Sequence, residues 1–213
     1  MYMETLLIIF LLLGAYLFGS IPTAVWWGRK YYGIDVREFG SGNAGATNTF
    51  RVLGKKAGIP VLIIDILKGT AAVMLANLSP YTFESDPFVN VQLALGVAAI
   101  VGHVFPVFAG FRGGKGVATI LGVIICITPL TSAMVAVVFL SVLMLTRYVS
   151  LSSMIGGISF PFFLNFALKN QNEPLMIYSI LIAILLVITH RQNISRLLKK
   201  QESKVNLFAK AKA

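Results

Sequence analysis

The sequence predicts an all-α integral membrane protein with seven transmembrane helices, its N-terminus outside and its C-terminus in the cytoplasm. Three observations predict it. Of 213 residues, 57% are hydrophobic and only 12% charged, against roughly 25% charged in soluble domains. The apolar residues gather in runs close to the ~20 that a helix needs to cross a hydrocarbon core. The 18 Lys and Arg outnumber the 8 Asp and Glu and lie mostly between those runs, where the positive-inside rule assigns them to the cytoplasmic side. That rule accounts for the net charge of +10 without a nucleic-acid partner. Cys126 is the single cysteine, which excludes a disulfide framework and a thiolate metal site.

The first span is expected over 5–28, which carries no charge. It lacks a basic leading region and is longer than the ~7–15 apolar residues of a signal peptide, so it should be retained. Gly19-Ser20-Ile21-Pro22 near its end should kink it or admit a neighbouring backbone. The following loop holds Arg29, Lys30, Arg37, Arg51, Lys55 and Lys56 against Asp35 and Glu38. The second span, 57–80, is interrupted by Asp65 and Lys68, and the loop after it has Glu84 and Asp86 but no cation. The third span covers 91–109.

Residues 116–146 are uncharged for 31 positions. A single helix of that length would reach about 46 Å, beyond a ~30 Å core even when tilted. Thr128-Pro129 is the natural break, giving spans over 116–128 and 130–146. Spans over 148–168 and 174–190 complete the set, with Lys169 and Glu173 between them and a basic tail after them. Seven spans bring every basic loop and the tail to the inner face and leave only Lys169 outside. Six would set Arg147 and the tail against the other basic loops. No internal repeat or linker divides the chain, so one transmembrane domain over 1–213 is expected.

Three polar stretches fall on the inner face. Residues 102–119 read Gly-His-Val-Phe-Pro-Val-Phe-Ala-Gly-Phe-Arg-Gly-Gly-Lys-Gly-Val-Ala-Thr. Gly113, Gly114 and Gly116 surround Lys115 beside Arg112. Backbone N–H groups of such a turn, a helix start and two cations suit an anion, phosphate above all. A nucleotide P-loop is excluded, because Ala109 and Gly116 stand where it requires glycine and Ser or Thr. Residues 40–51 combine Gly40 and Gly42 with the uncharged hydrogen-bonding groups of Ser41, Asn43, Thr47 and Asn48. Arg51 closes the stretch and can clamp a phosphate with two parallel hydrogen bonds. At the end of the last span, His190 and Asn193 share a helical face.

Two further features stay open at this level. Asp65 and Lys68, three residues apart inside a span, form either an internal ion pair or a substrate contact. His103 serves either a structural hydrogen bond or the site. The inventory contains no paired carboxylates, no metal cluster and no local Ser-His-Asp arrangement.

Taken together, Gly-Ser-Gly-Asn-Ala-Gly-Ala-Thr-Asn-Thr-Phe-Arg, Gly-His-Val-Phe-Pro with Phe-Arg-Gly-Gly-Lys-Gly-Val-Ala-Thr, and His-Arg-Gln-Asn-Ile-Ser-Arg-Leu resemble the three motifs of the bacterial acyl-phosphate:glycerol-3-phosphate acyltransferases (PlsY). Gly19-Ser20-Ile21-Pro22 and Asp65-Ile66-Leu67-Lys68-Gly69 fit the same pattern. Ala44 stands where the family often has proline. The resemblance implies a seven-helix enzyme of the bacterial cytoplasmic membrane with its active site facing the cytoplasm. It implies transfer of an acyl group from long-chain acyl phosphate to the 1-hydroxyl of glycerol 3-phosphate, without cofactor or metal. No protein partner is expected beyond the membrane lipid itself. Ser41, Arg51, Lys115, His190 and Asn193 form the implied catalytic set. Gly40, Gly42, Asn43, Thr47, Asn48, His103, Arg112, Gly113, Gly114 and Gly116 are implied to line the substrate phosphates. The alternative is a small-anion or phosphate transporter, but such proteins place their sites near the bilayer midplane rather than at one face.

Overall fold

The computed structural model describes residues 2–168 and 172–205. Lys169, expected outside the membrane, lies outside the described residues. All regular structure among the described residues is helical. The chain divides into two compact units, Met1–Pro129 and Leu130–Ala213, at the proline that separates two spans in the sequence.

The first unit contains α1 (Tyr2–Ser20), α2 (Thr23–Tyr32), α3 (Ala46–Leu53), α4 (Lys55–Met74), α5 (Asp86–Val104) and α6 (Val117–Ile127). Its main pairings are α1 on α5 and α4 on α6. Lipid tails are as apolar as a leucine side chain, so close van der Waals packing has to hold such helices together. Both pairings supply it through glycine. A Cβ on Gly19 would overlap the backbone of Ala99, and one on Gly102 the backbone of Tyr16 and Ser20. On the other pair, Gly69 meets the Thr119 backbone and Gly122 that of Ile66. Thr70 Oγ1 donates to the Gly122 carbonyl at 3.1 Å. Leu11, Ala15, Ala72, Ala76, Phe88, Val91, Leu95 and Ala99 fill the core between α1, α4 and α5.

The first helix differs from the expected span over 5–28. It stops at Ser20, and the chain restarts as α2 at Thr23. Pro22 has no N–H to continue the ladder. The new helix buries Thr23, Ala24, Val25 and Gly28 and exposes Trp26, Arg29, Lys30, Tyr31 and Tyr32. Aromatic rings beside cations suit the membrane–water boundary rather than the hydrocarbon core. The break is anchored by the buried pair in α4. Lys68 Nζ lies 2.9 Å from Asp65 Oδ1 and donates to the Ile21 carbonyl at 2.8 Å. Thr23 Oγ1 donates to the same carboxylate oxygen at 3.0 Å. Removing one partner of such a buried pair costs about 3–5 kcal/mol.

The third span also departs from expectation, its helix α5 starting at Asp86 rather than 91. Ser85 caps it by accepting the Phe88 N–H at 3.4 Å, and Pro87 occupies its first turn, where a missing N–H has no cost.

The second unit contains α7 (Pro129–Thr146) from its second residue on, α8 (Val149–Phe162), α9 (Glu173–Thr189) and α10 (Arg191–Leu198). A π-helical turn, Phe163–Ala167, extends α8. Asn172 caps α9 by accepting the Leu175 N–H at 2.9 Å, and α10 bends away from α9 by 58°. Among the described residues, five helical segments are long and apolar enough to cross a membrane, or six if α9 and α10 form one bent span. The apolar α6 has 11 residues, about 16 Å of helix.

Candidate active site

In the first unit, two loops carry the residues singled out in the sequence. The earlier loop is organised by Asn48 on α3, which is 1% exposed. Its amide nitrogen donates to Val36 O at 2.8 Å and Phe39 O at 3.1 Å. Its oxygen accepts the Ser41 N–H at 2.8 Å and the Ser41 hydroxyl at 3.1 Å. Both N–H groups and both acceptor positions are therefore engaged by protein. Asn48, expected to line a substrate phosphate, instead ties the loop together. Gly40 has φ 62°, and a Cβ there would strike Asn48 Oδ1, so a side chain is barred twice over. Thr47 and Arg51 are exposed, Ser41 and Asn43 half-buried.

The second loop is the glycine turn before α6. It is fastened to the end of α5 by Gly113 N–H on Val104 O at 3.2 Å and Gly114 N–H on His103 O at 3.1 Å. Gly116, at φ 84°, turns the chain into α6, whose first turn brings partial positive charge to the half-buried Lys115. Arg112 is exposed.

His103 stands behind this turn rather than in front of it. Its ring is 5% exposed, with Nδ1 3.0 Å from Thr119 Oγ1. Gly114 packs so closely on Nε2 that a Cβ would overlap it. The expectation that His103 lines a substrate phosphate gives way to a supporting place, because burial and Thr119 hold the ring under the loop.

Sequence reading passed over Asp35 and Arg37, which lie outside the three motifs. The Arg37 guanidinium donates from Nε and Nη2 to the Asp35 carboxylate at 3.0 and 2.8 Å, and from Nη1 to the carbonyls of Ala109 at 2.8 Å and Arg112 at 3.3 Å. The Arg37 hydrogen bond, opposed by burial, holds the Asp35 carboxyl down at about 2. The pair is thus charged throughout the neutral range. The available signal was an acid and an arginine two residues apart just ahead of a glycine-rich loop.

In the second unit, His190 sits at the bend between α9 and α10 and is 3% exposed. Its Nδ1 lies 2.7 Å from the Leu186 carbonyl. A carbonyl only accepts, so Nδ1 carries a proton. Asn193 donates to Glu202 Oε1 at 2.6 Å. Ser150 donates to the same oxygen at 2.9 Å, and Arg196 Nε to Oε2 at 2.7 Å. Burial raises the Glu202 pKa, but the bonds from Arg196, Asn193 and Ser150 together outweigh it and leave the carboxyl below its usual range. Sequence reading had placed Glu202 in an undifferentiated basic tail.

Residues 9–200 match the family model described as glycerol-3-phosphate acyltransferase. The chain belongs to the glycerol-3-phosphate acyltransferase family. A family member from Bacillus cytotoxicus is 48% identical over 202 residues, 95% of this chain and 97% of that one. Another, from Listeria monocytogenes, is 47% identical over 201 residues, 94% and 98% of the two chains. Among solved structures, the crystal structure of PlsY (YgiH), an integral membrane glycerol 3-phosphate acyltransferase, in its glycerol 3-phosphate form, matches with a TM-score of 0.83 and 38% identity. That match covers 95% of this chain and 99% of PlsY. The lysophosphatidic acid form matches with a TM-score of 0.81 and 39% identity, over 93% and 95% of the chains. The family match spans both loops of the first unit and the His190–Asn193 segment of the second. The chain is a multi-pass integral membrane protein of the PlsY family.

Proposed function

We propose that the protein transfers a fatty acyl group from long-chain acyl phosphate to the 1-hydroxyl of glycerol 3-phosphate, releasing lysophosphatidic acid and phosphate. The reaction opens phospholipid synthesis. Family membership supports glycerol 3-phosphate as acceptor, and PlsY itself has been captured with that substrate and with lysophosphatidic acid. The observation that carries the donor assignment is the glycine turn, which sets Lys115 at the start of α6 with Arg112 close by in the chain, a charged anion site rather than a surface for a large carrier.

An acyl phosphate is a mixed anhydride with a good leaving group, so no protein nucleophile is needed. The acceptor oxygen attacks the acyl carbonyl carbon, the carbon–oxygen bond to phosphate breaks, and the hydroxyl proton passes to a substrate phosphate. The second pKa of a phosphate, near 6, suits that role at neutral pH. Catalysis then consists of positioning and of stabilising charge on phosphate and the tetrahedral oxyanion. Lys115 takes the phosphate and oxyanion contacts, with Arg112 nearby, while Gly113 and Gly114, expected to line the phosphate, spend their N–H groups on Val104 and His103 and hold the turn in place. Ser41, Asn43 and Arg51, with Thr47, are the first unit's groups for glycerol 3-phosphate, and the motif at the end of the last span assigns His190 and Asn193 to the same substrate. Purified protein given glycerol 3-phosphate should form lysophosphatidic acid with palmitoyl phosphate and essentially none with palmitoyl-CoA, as read by mass spectrometry. Comparable rates with the two donors would reject the donor assignment.

The proposal includes a bacterial plasma-membrane location, seven spans, an outside N-terminus and a cytoplasmic active site. The short α6 counts as one span, and the inward clustering of cations supports the orientation. In a Cys126→Ser background, cysteine at Asp86 should react with an impermeant thiol reagent on intact cells. Cysteine at Arg37, Arg147 or Lys204 should react only after permeabilisation. Labelling of position 147 or 204 from outside overturns the seven-span arrangement.

A further inference from the structure

We infer that Arg37, clamped on Asp35, is a positioning residue that sets the spacing between the Ser41–Arg51 loop and the glycine turn. The acyl-transfer chemistry does not itself require it. Its side chain is 12% exposed and that of Asp35 8%, and the guanidinium is used along both edges. One edge, Nε and Nη2, grips the carboxylate. The remaining nitrogen, Nη1, reaches 72 and 75 residues along the chain to the carbonyls of Ala109 and Arg112.

Each end of this bridge is itself fixed. Asp35 also accepts the Arg37 backbone N–H at 3.0 Å and Arg29 Nη2 at 2.9 Å. The 3₁₀ turn that bears Arg37, Val36–Glu38, is joined to Ser41 through Asn48, which takes up Val36 O and Phe39 O. On the far side, Gly113 and Gly114 are bonded to α5 through their N–H groups, so the turn is held by its amides from one side and by its carbonyls from the other. Any shift of the turn relative to Ser41 must stretch charge-assisted hydrogen bonds, the strong kind. A lysine could satisfy Asp35, but one ammonium cannot reproduce the planar fork that reaches a carboxylate and two carbonyls together.

The kinetic consequence rests on the acyl-transfer reading. Each loop would still bind its own phosphate without the bridge, but the reactants would be misaligned, and a displacement of ~1 Å can lower turnover ~100-fold. Full-length Arg37→Ala and Arg37→Lys should therefore show kcat lowered about 100-fold at saturating palmitoyl phosphate and glycerol 3-phosphate, with each KM within about threefold of wild type. Amide hydrogen exchange over residues 109–116 should accelerate at least ~10-fold, while α4 keeps its protection. Wild-type rate and protection in Arg37→Lys would reduce the contact to a simple ion pair and overturn the inference. So would a raised KM with unchanged kcat, or unaltered exchange in the turn. Where Arg37→Ala does not fold, Arg37→Lys decides alone. If the wild-type protein fails to use palmitoyl phosphate, the acyl-transfer reading falls while the exchange measurement still judges the bridge.

Discussion

Lys115→Ala is expected to lower kcat about 10²–10³-fold, the loss typical of removing one oxyanion- or phosphate-stabilising group. Lys115 follows two glycines whose N–H groups are already committed to α5, so any charge the turn brings to a phosphate comes from its side chains rather than from those two amides. His190→Asn should behave differently. The Nδ1 proton of His190 is given to Leu186 O, which fixes the ring at the bend between α9 and α10. If a substrate phosphate takes the hydroxyl proton, losing His190 removes binding rather than chemistry. The apparent KM for glycerol 3-phosphate should rise about tenfold, as for one lost hydrogen bond, with appreciable turnover at saturation. Steady-state rates at saturating substrate over pH 6 to 9 separate the two cases. Complete loss of turnover in His190→Asn, together with a wild-type rate that follows a single histidine-like ionisation, would make His190 the base.

Gly114→Ala should lower kcat/KM about 100-fold. The new Cβ would land on His103 Nε2, and the ring cannot step aside cheaply because Thr119 holds its other nitrogen and it is 5% exposed. Overpacking of this kind costs about 1–3 kcal/mol, and the turn can relieve it by lifting off α5 and carrying Lys115 with it. Removing the obstacle should then help. The double variant Gly114→Ala/His103→Ala is expected to recover about tenfold over Gly114→Ala, a coupling that a double-mutant cycle measures directly. Absence of recovery would mean that His103 is not what the added methyl strikes.

Local patterns in the sequence determined the class of this protein, because the rules behind them act over a few residues. Charge is costly in hydrocarbon, so the uncharged runs marked the helices. A proline cannot donate, so Thr128-Pro129 marked the division between α6 and α7. Glycines and cations in one short stretch marked the turn ahead of α6. The same rules misplaced the end of the first helix, where apolar character continues past Ser20 but the backbone ladder does not.

Tertiary structure alone decided which polar residues are taken up by other parts of the protein. Asn48 reads as a ligand in its motif, yet the fold saturates its amide with Val36, Phe39 and Ser41. Arg37 reads as a topology marker, yet its nitrogen bonds to carbonyls more than 70 residues away. Glu202 reads as tail, yet it gathers Ser150, Asn193 and Arg196. A hydrogen bond depends on distance and direction in space, and no spacing along the chain reports where the fold will bring its partner.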